Sequence, residues 1–256
     1  MERYELKSKE ESGFTLVELA IVMIIIGLLI GGILKGQQLI ANAEISSTVS
    51  EIEGIDSAIS TFREAYAALP GDMGNVAARI PNCANACAQN GNANGTIGNS
   101  PGAAHATIAN ENGAAWAQLA AAEMIGGVIA TNATTVVTGA TNSLPAATIG
   151  GAYQIGFLGT GALEALAGPN ANGGHYLVLD TSGAAASADA LAGLTQAQAA
   201  RLDRKLDDGA PNTGSVRAYG PTGAGAGFCA STATNVGVYN EAFGQVNCGL
   251  YVRVQS

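Results

Sequence analysis

The chain has 256 residues, 20 acidic against 11 basic, for a formal net charge of −9. Such an acidic exterior excludes general nucleic-acid binding, which depends on Lys and Arg neutralising phosphates. Beyond about residue 73 the chain is rich in Gly, Ala, Asn and Thr, poor in Lys, and long enough for one sizeable domain.

The first element is an apolar run from Phe14 to Leu34, 21 residues in which Glu18 is the only charge. About 20 such residues at 1.5 Å rise cross a ~30 Å hydrocarbon core, so the run can span a membrane as a helix. A carboxylate at membrane depth costs ~2.5–3.5 kcal/mol on insertion scales, which marks Glu18 as a residue with a use. A cleaved secretory signal does not fit. The apolar stretch is too long, and Lys35-Gly36-Gln37-Gln38 after it offers no small-residue cleavage site. The small residue comes before the run, at Gly13. Gly27, Gly31, Gly32 and Gly36 fall at the four-residue spacing that lets apolar helices approach closely, a spacing that ordinary glycine enrichment in membrane helices also produces.

The helix is expected to continue. Ile45, Val49, Ile52, Ile55, Ile59, Phe62 and Tyr66 recur in steps of three or four and form one face of an amphipathic helix. No proline interrupts Phe14 to Leu69, which predicts a near-continuous rod of ~84 Å. Leu69-Pro70-Gly71-Asp72 then reads as a stop and turn. The expected divisions are a leader at 1–13, a transmembrane segment at 14–34, an amphipathic continuation at 35–69 and a globular domain at 70–256.

Within that domain, 85–113 reads as an irregular loop and Ala114–Ile125 as a short helix. Tyr153–Leu158, His175–Leu179, Val216–Tyr219 and Leu250–Val254 read as strands of a meandering antiparallel sheet, with a second helix over Thr195–Leu206. The fold class is α+β, a long N-terminal helix packed on an antiparallel sheet. No catalytic constellation emerges, and the chain is not read as an enzyme. Gly98-Asn99-Ser100-Pro101-Gly102 matches the G-x-S-x-G nucleophile elbow in form only, because Pro101 lacks the N–H that the oxyanion hole requires. His105 and His175 lack metal-ligand spacing, no Walker A pattern occurs, and Gly223–Gly227 reads as flexible loop.

The segment Gly13-Phe14-Thr15-Leu16-Val17-Glu18 resembles the type IV pilin superfamily: pilins, the pseudopilins of type II secretion and competence subunits. The shared features are a short polar leader ending in Gly, then Phe, then Glu as the fifth residue of the mature chain. The resemblance implies cleavage by a prepilin peptidase between Gly13 and Phe14, and methylation of the Phe14 amine. It implies an inner-membrane precursor with a cytoplasmic N-terminus, which moves to a periplasmic or cell-surface filament. Its partners would be the peptidase, other copies and related pilins, and the inner-membrane assembly platform. Glu18 of one subunit would pair with the terminal amine of its neighbour. Two features depart from the family pattern. The leader sets Arg3, Lys7 and Lys9 against Glu2, Glu5, Glu10 and Glu11, and Lys35 stands where many pilins carry a helix proline. The resemblance covers about a tenth of the chain and leaves open a pilus subunit, a pseudopilus subunit or a minor initiating or adhesive pilin. From a different class, a membrane-tethered binding domain with a pilin-like export signal is also compatible.

Export to an oxidising compartment favours disulfides among Cys83, Cys87, Cys229 and Cys248. Three connectivities exist. The local pairs Cys83–Cys87 and Cys229–Cys248 are favoured, the second like the loop that many pilins staple near the C-terminus. A zinc site is the rival, although only Cys83 and Cys87 have ligand-like spacing and no histidine lies close in sequence. No cofactor is expected. The one candidate for a metal is calcium at Asp203, Asp207 and Asp208, three hard-oxygen donors near a turn, as some pseudopilins use; a charged helix end gives the same pattern.

Overall fold

The computed structural model describes residues 15–81, 83–84, 87–98, 111–128, 144–159, 173–180, 193–220, 229–230 and 237–254. The chain divides into two compact units, Met1–Ala43 and Glu44–Ser256. Helix α1, Leu16–Tyr66, is 51 residues long and begins in the first unit. There its large apolar side chains, Leu16 through Ile40, are exposed. An 18-residue window reaches a mean hydropathy of 2.8, long and apolar enough to cross a membrane.

From Glu44 onward α1 belongs to the second unit and buries the face its periodicity predicts. Ile45, Ile52, Ile55, Ile59 and Phe62 are buried, with Val49 and Tyr66 packed partly buried at its edges. Thr48 and Ala58 complete the face. A buried threonine is tolerable because its hydroxyl donates to Glu44 O at 2.8 Å, so no polar group is left unpaired. Ala67, at φ 49°, ends the helix in the left-handed region. Gly71 then allows a close approach: a Cβ there would lie 2.2 Å from Glu111 O.

Residues 87–98, expected to be irregular, lack regular structure but are held in place by side-chain acceptors. Asp72 takes Asn94 N on Oδ1 at 3.0 Å and Gly95 N on Oδ2 at 2.8 Å. Glu111 takes Asn92 N and Gly98 N, each at 2.8 Å. Gln118 accepts from Gly71 N at 2.6 Å and donates to Gln89 O at 3.0 Å. Glycine and asparagine offer no apolar face to bury, so charged and amide groups supply the order that a hydrophobic stripe supplies elsewhere. A short helix α2, Val76–Arg79, precedes this stretch, and Asn90 Oδ1 accepts from its first N–H.

Helix α3 spans Glu111–Ala121 rather than 114–125. It starts earlier because Asn112, a poor helix former, gains a partner by donating Nδ2 to Ile155 O at 2.7 Å. It stops earlier because Glu123 turns left-handed, at φ 59°, while Met124 N closes back on Leu119 O at 3.0 Å. That bond is the six-to-one closure of a Schellman ending. Trp116 and Leu119 are fully buried as their spacing predicts.

The antiparallel sheet contains β1, Ala152–Leu158, β2, Gly174–Asp180, β3, Leu194–Thr195, β4, Val216–Tyr219, and β5, Val246–Arg253. It is not a simple meander. β1 and β2 form a paired ribbon, but β5 lies centrally and pairs with β2, β3 and β4. β5 also begins at Val246, earlier than expected, since its first half pairs with β3 through Leu194↔Cys248. A two-residue strand like β3 leaves no alternation to read. Alternate residues point to two buried faces. Tyr153, Ile155, Leu177, Leu179, Val216 and Leu250 join the core with α1, α3 and α4. Leu158, Tyr176, Val178, Tyr219 and Tyr251 form a second cluster. Helix α4, Gln196–Leu206, opens with a capping box on Thr195. Glu51 of α1 ties helix to sheet, accepting from Tyr153 Oη at 2.8 Å and Thr148 N at 3.1 Å.

If side-chain acceptors order 87–98, Asp72→Ala strands two backbone donors and should cost ~1–3 kcal/mol. Denaturant unfolding of the full chain in detergent measures this. A loss below about 0.5 kcal/mol, the range of ordinary surface changes, would show that the acceptors are incidental.

Candidate functional site

Thr15 and Glu18 form a closed pair at the start of α1. Thr15 donates to Glu18 Oε2 from its backbone N at 2.9 Å and from Oγ1 at 2.8 Å. In return Glu18 N donates to Thr15 Oγ1 at 3.3 Å, and Leu19 N makes the first helical bond to Thr15 O at 3.2 Å. This is the reciprocal geometry of a capping box, with Thr15 as N-cap and Glu18 three residues on. The carboxylate therefore has donors within its own chain and sits at the favourable positive end of the helix dipole. Thr15 is the partner of Glu18 that the sequence alone did not single out. Its signal was present, because T-x-x-E before an apolar run is a capping-box pattern. Gly13 and Phe14 lie outside the described residues.

Gly27, Gly31, Gly32 and Gly36 lie along the same helix, and a Cβ built at any of them would meet nothing within 4 Å. The described chain does not itself need these positions to be small.

Both local cysteine pairs are bonded: Cys83–Cys87 with Cα atoms 5.2 Å apart and Cys229–Cys248 with Cα atoms 5.0 Å apart. The second anchors a loop to β5, where Cys248 is fully buried. Asn240 N donates to Cys229 O at 3.2 Å and reinforces the closure. Arg204 of α4 pairs with Glu241 of this loop.

Among the described residues, Asp203, Asp207 and Asp208 bring ligand-capable oxygens within 4.8 Å of one another. Each acid already accepts protein donors. Asp203 takes Tyr239 Oη at 2.7 Å and Gly209 N at 3.3 Å; Asp207 takes Val216 N at 3.2 Å and Ser215 N; Asp208 takes Ala210 N at 2.9 Å and the Thr213 hydroxyl. These bonds shape the turn from α4 into β4, and a cation held here would have to share those oxygens. Arg204 points away to Glu241 and Lys205 donates to Ser46 Oγ at 2.6 Å, so neither neutralises the cluster directly. His175, the other candidate ligand described, packs instead: its Nε2 accepts from Ile97 N at 3.1 Å, and burial holds the imidazole below its usual range. His105 lies outside the described residues, as do the serine of the elbow-like motif and Gly223–Gly227.

Burial pushes the Asp203 carboxyl up to about 7, against the hydrogen bonds from Tyr239 and Gly209 and with the help of the neighbouring Asp208 and Asp207 charges. The same burial, beside Asp203, raises the Tyr239 hydroxyl above its ordinary range. Because the folded chain holds the Asp203 proton more tightly than the unfolded chain, this group favours folding most below the unfolded value of 3.8, and that contribution is lost as pH rises through about 7.

Residues 8–34 match the family model for the prokaryotic N-terminal methylation motif, the type IV pilin and pseudopilin signature. The matched stretch contains the Gly13-Phe14 junction and the Thr15–Glu18 pair. The chain thus carries the signature of a type IV pilin-like or pseudopilin precursor, and the apolar first part of α1 is consistent with a membrane-anchored precursor. No curated protein and no solved structure matches the chain at a significant level.

Asp203→Asn keeps an acceptor for Tyr239 but removes the buried charge. We predict that it raises the melting temperature at roughly pH 8 by about 3 °C or more and flattens the decline between roughly pH 5 and pH 8. Parallel declines in variant and parent would show that the buried carboxylate does not set this dependence.

Proposed function

We propose that this chain is a structural subunit of a type IV pilus or type II secretion pseudopilus. It is cut between Gly13 and Phe14 by a prepilin peptidase, methylated on the Phe14 amine, and polymerised through the first part of α1. The observation that carries this reading is Glu18, the single carboxylate in the membrane-length apolar run 14–34, placed four residues from the new chain start. In the membrane it is held by Thr15. In the filament its partner becomes the terminal amine of a neighbouring subunit, a cation in a low-dielectric core where attraction is strong and an unpaired carboxylate is heavily penalised. Methylation leaves that charge in place. One stagger between neighbours satisfies both charges, so the pairing also fixes axial register. The unfilled surface beside Gly27, Gly31, Gly32 and Gly36 suits close helix packing between subunits, where small residues let backbones approach.

The reading predicts that the native product begins at a methylated Phe14 and that Glu18→Ala inserts normally yet reduces filament incorporation at least about tenfold, as expected for loss of a buried charged partner. Mass spectrometry of sheared filaments and membrane fractions reads both. A native chain that keeps Met1, or normal filament yield from Glu18→Ala, would overturn it.

A further inference from the structure

The second unit holds a cleft of about 520 Å³ beside the end of α1, lined by Arg63, Arg79, Asp72 and His175 on its polar side and by Leu69 and Met73 on its apolar side. Its walls are fixed by backbone contacts. Gly91 N donates to Met73 O at 3.0 Å and Ala93 N to Asp72 O at 3.1 Å. A Cβ on Gly91 would lie 2.3 Å from the Asp72 backbone, so two chain segments press directly against each other. The cavity is therefore formed in advance of any ligand.

The charges around it are unevenly satisfied. Both oxygens of buried Asp72 accept backbone N–H groups, and His175 Nε2 accepts from Ile97 N. Arg79 spends one donor on Tyr66 O, at the end of α1, and keeps others. Arg63 is exposed and has no hydrogen-bond or ion-pair acceptor among the described residues, in a chain where acids outnumber bases 20 to 11. Two guanidinium groups against one carboxylate leave an excess of one positive charge. The planar fork of a guanidinium takes carboxylate and phosphate oxygens in two-point fashion. Of these a carboxylate carries the single charge that matches the excess, whereas a phosphate monoester carries about −1.5 to −2 at neutral pH.

We propose that this cleft binds small monocarboxylates, with the head group on Arg63 and Arg79 and the aliphatic part against Leu69 and Met73. The site is independent of filament assembly and stands or falls separately from it.

The test is a titration of the full-length protein in detergent, labelled with ¹⁵N-arginine, with butyrate as probe. The Nε–Hε resonances of Arg63 and Arg79 should shift saturably with a Kd of about 1 mM or tighter. Butyramide, of the same shape without the charge, should leave them in place. Arg63→Gln, a change at an exposed position, should weaken butyrate binding about tenfold while near-UV circular dichroism stays unchanged. Shifts that never saturate, an equal response to butyramide, or unchanged affinity in Arg63→Gln would each overturn the proposal.

Discussion

Hydrocarbon offers a carboxylate no hydrogen-bond donors, so an acid placed there must bring its own partners or be given them. Glu18 brings Thr15, whose backbone and hydroxyl both reach the same oxygen. The arrangement lowers the cost of placing this helix start in a membrane. It also leaves the carboxylate with neutral donors only, whereas a cationic donor adds the attraction of an opposite charge, which is strong in a low-dielectric core. On the proposed assembly, docking against a neighbour that presents a cationic chain end would exchange a weaker partner for a stronger one. An acid with no partner in the single subunit would gain more on docking but would cost more to insert. The capping box places Glu18 between these limits.

The second unit meets a different constraint with similar means. Much of its chain is built from Gly, Ala, Asn and Thr, which bury little apolar area. Where large side chains are available, they are used conventionally: α1 from Glu44 onward, Trp116 and the sheet's inner face make one continuous core. Where they are not, Asp72, Glu111, Gln118 and the acids at 203, 207 and 208 gather backbone N–H groups. Local turns are thus held by polar acceptors attached to a rigid frame of helix and strand. The cleft beside α1 follows from this construction, since its wall is a glycine-rich loop pinned by Asp72.

The long periodic pattern was legible in the sequence, as the isoleucine face of α1 shows, and the short apolar stretch of β4 was legible from the turn residues that flank it. What escaped was non-periodic or depended on distant partners. The two residues of β3 carry no alternation, and the central place of β5 follows from pairings with β2 and β4 that lie far off along the chain. The early start of α3 depends on Ile155 O accepting from Asn112, a contact 43 residues away in sequence. At the candidate site, Glu18 stood out because a charge in an apolar run is conspicuous. Thr15 did not, because a threonine beside it is ordinary until its hydroxyl is seen to face the carboxylate. The acids near 207 fitted both a calcium site and a charged helix end, and only the structure shows how many backbone donors they already hold.

The central claim is that Glu18 changes partner on assembly, and the most direct measurement is made in the filament itself. Filaments grown from a mixture of subunits, some with ¹³C-labelled glutamate and others with ¹⁵N-labelled phenylalanine, allow solid-state NMR to report contacts between different chains. The account predicts a dipolar coupling between the Glu18 carboxyl carbon of one subunit and the chain-terminal nitrogen of another. A filament spectrum with no such coupling, in which the carboxyl remains against Thr15 of its own chain, would contradict it.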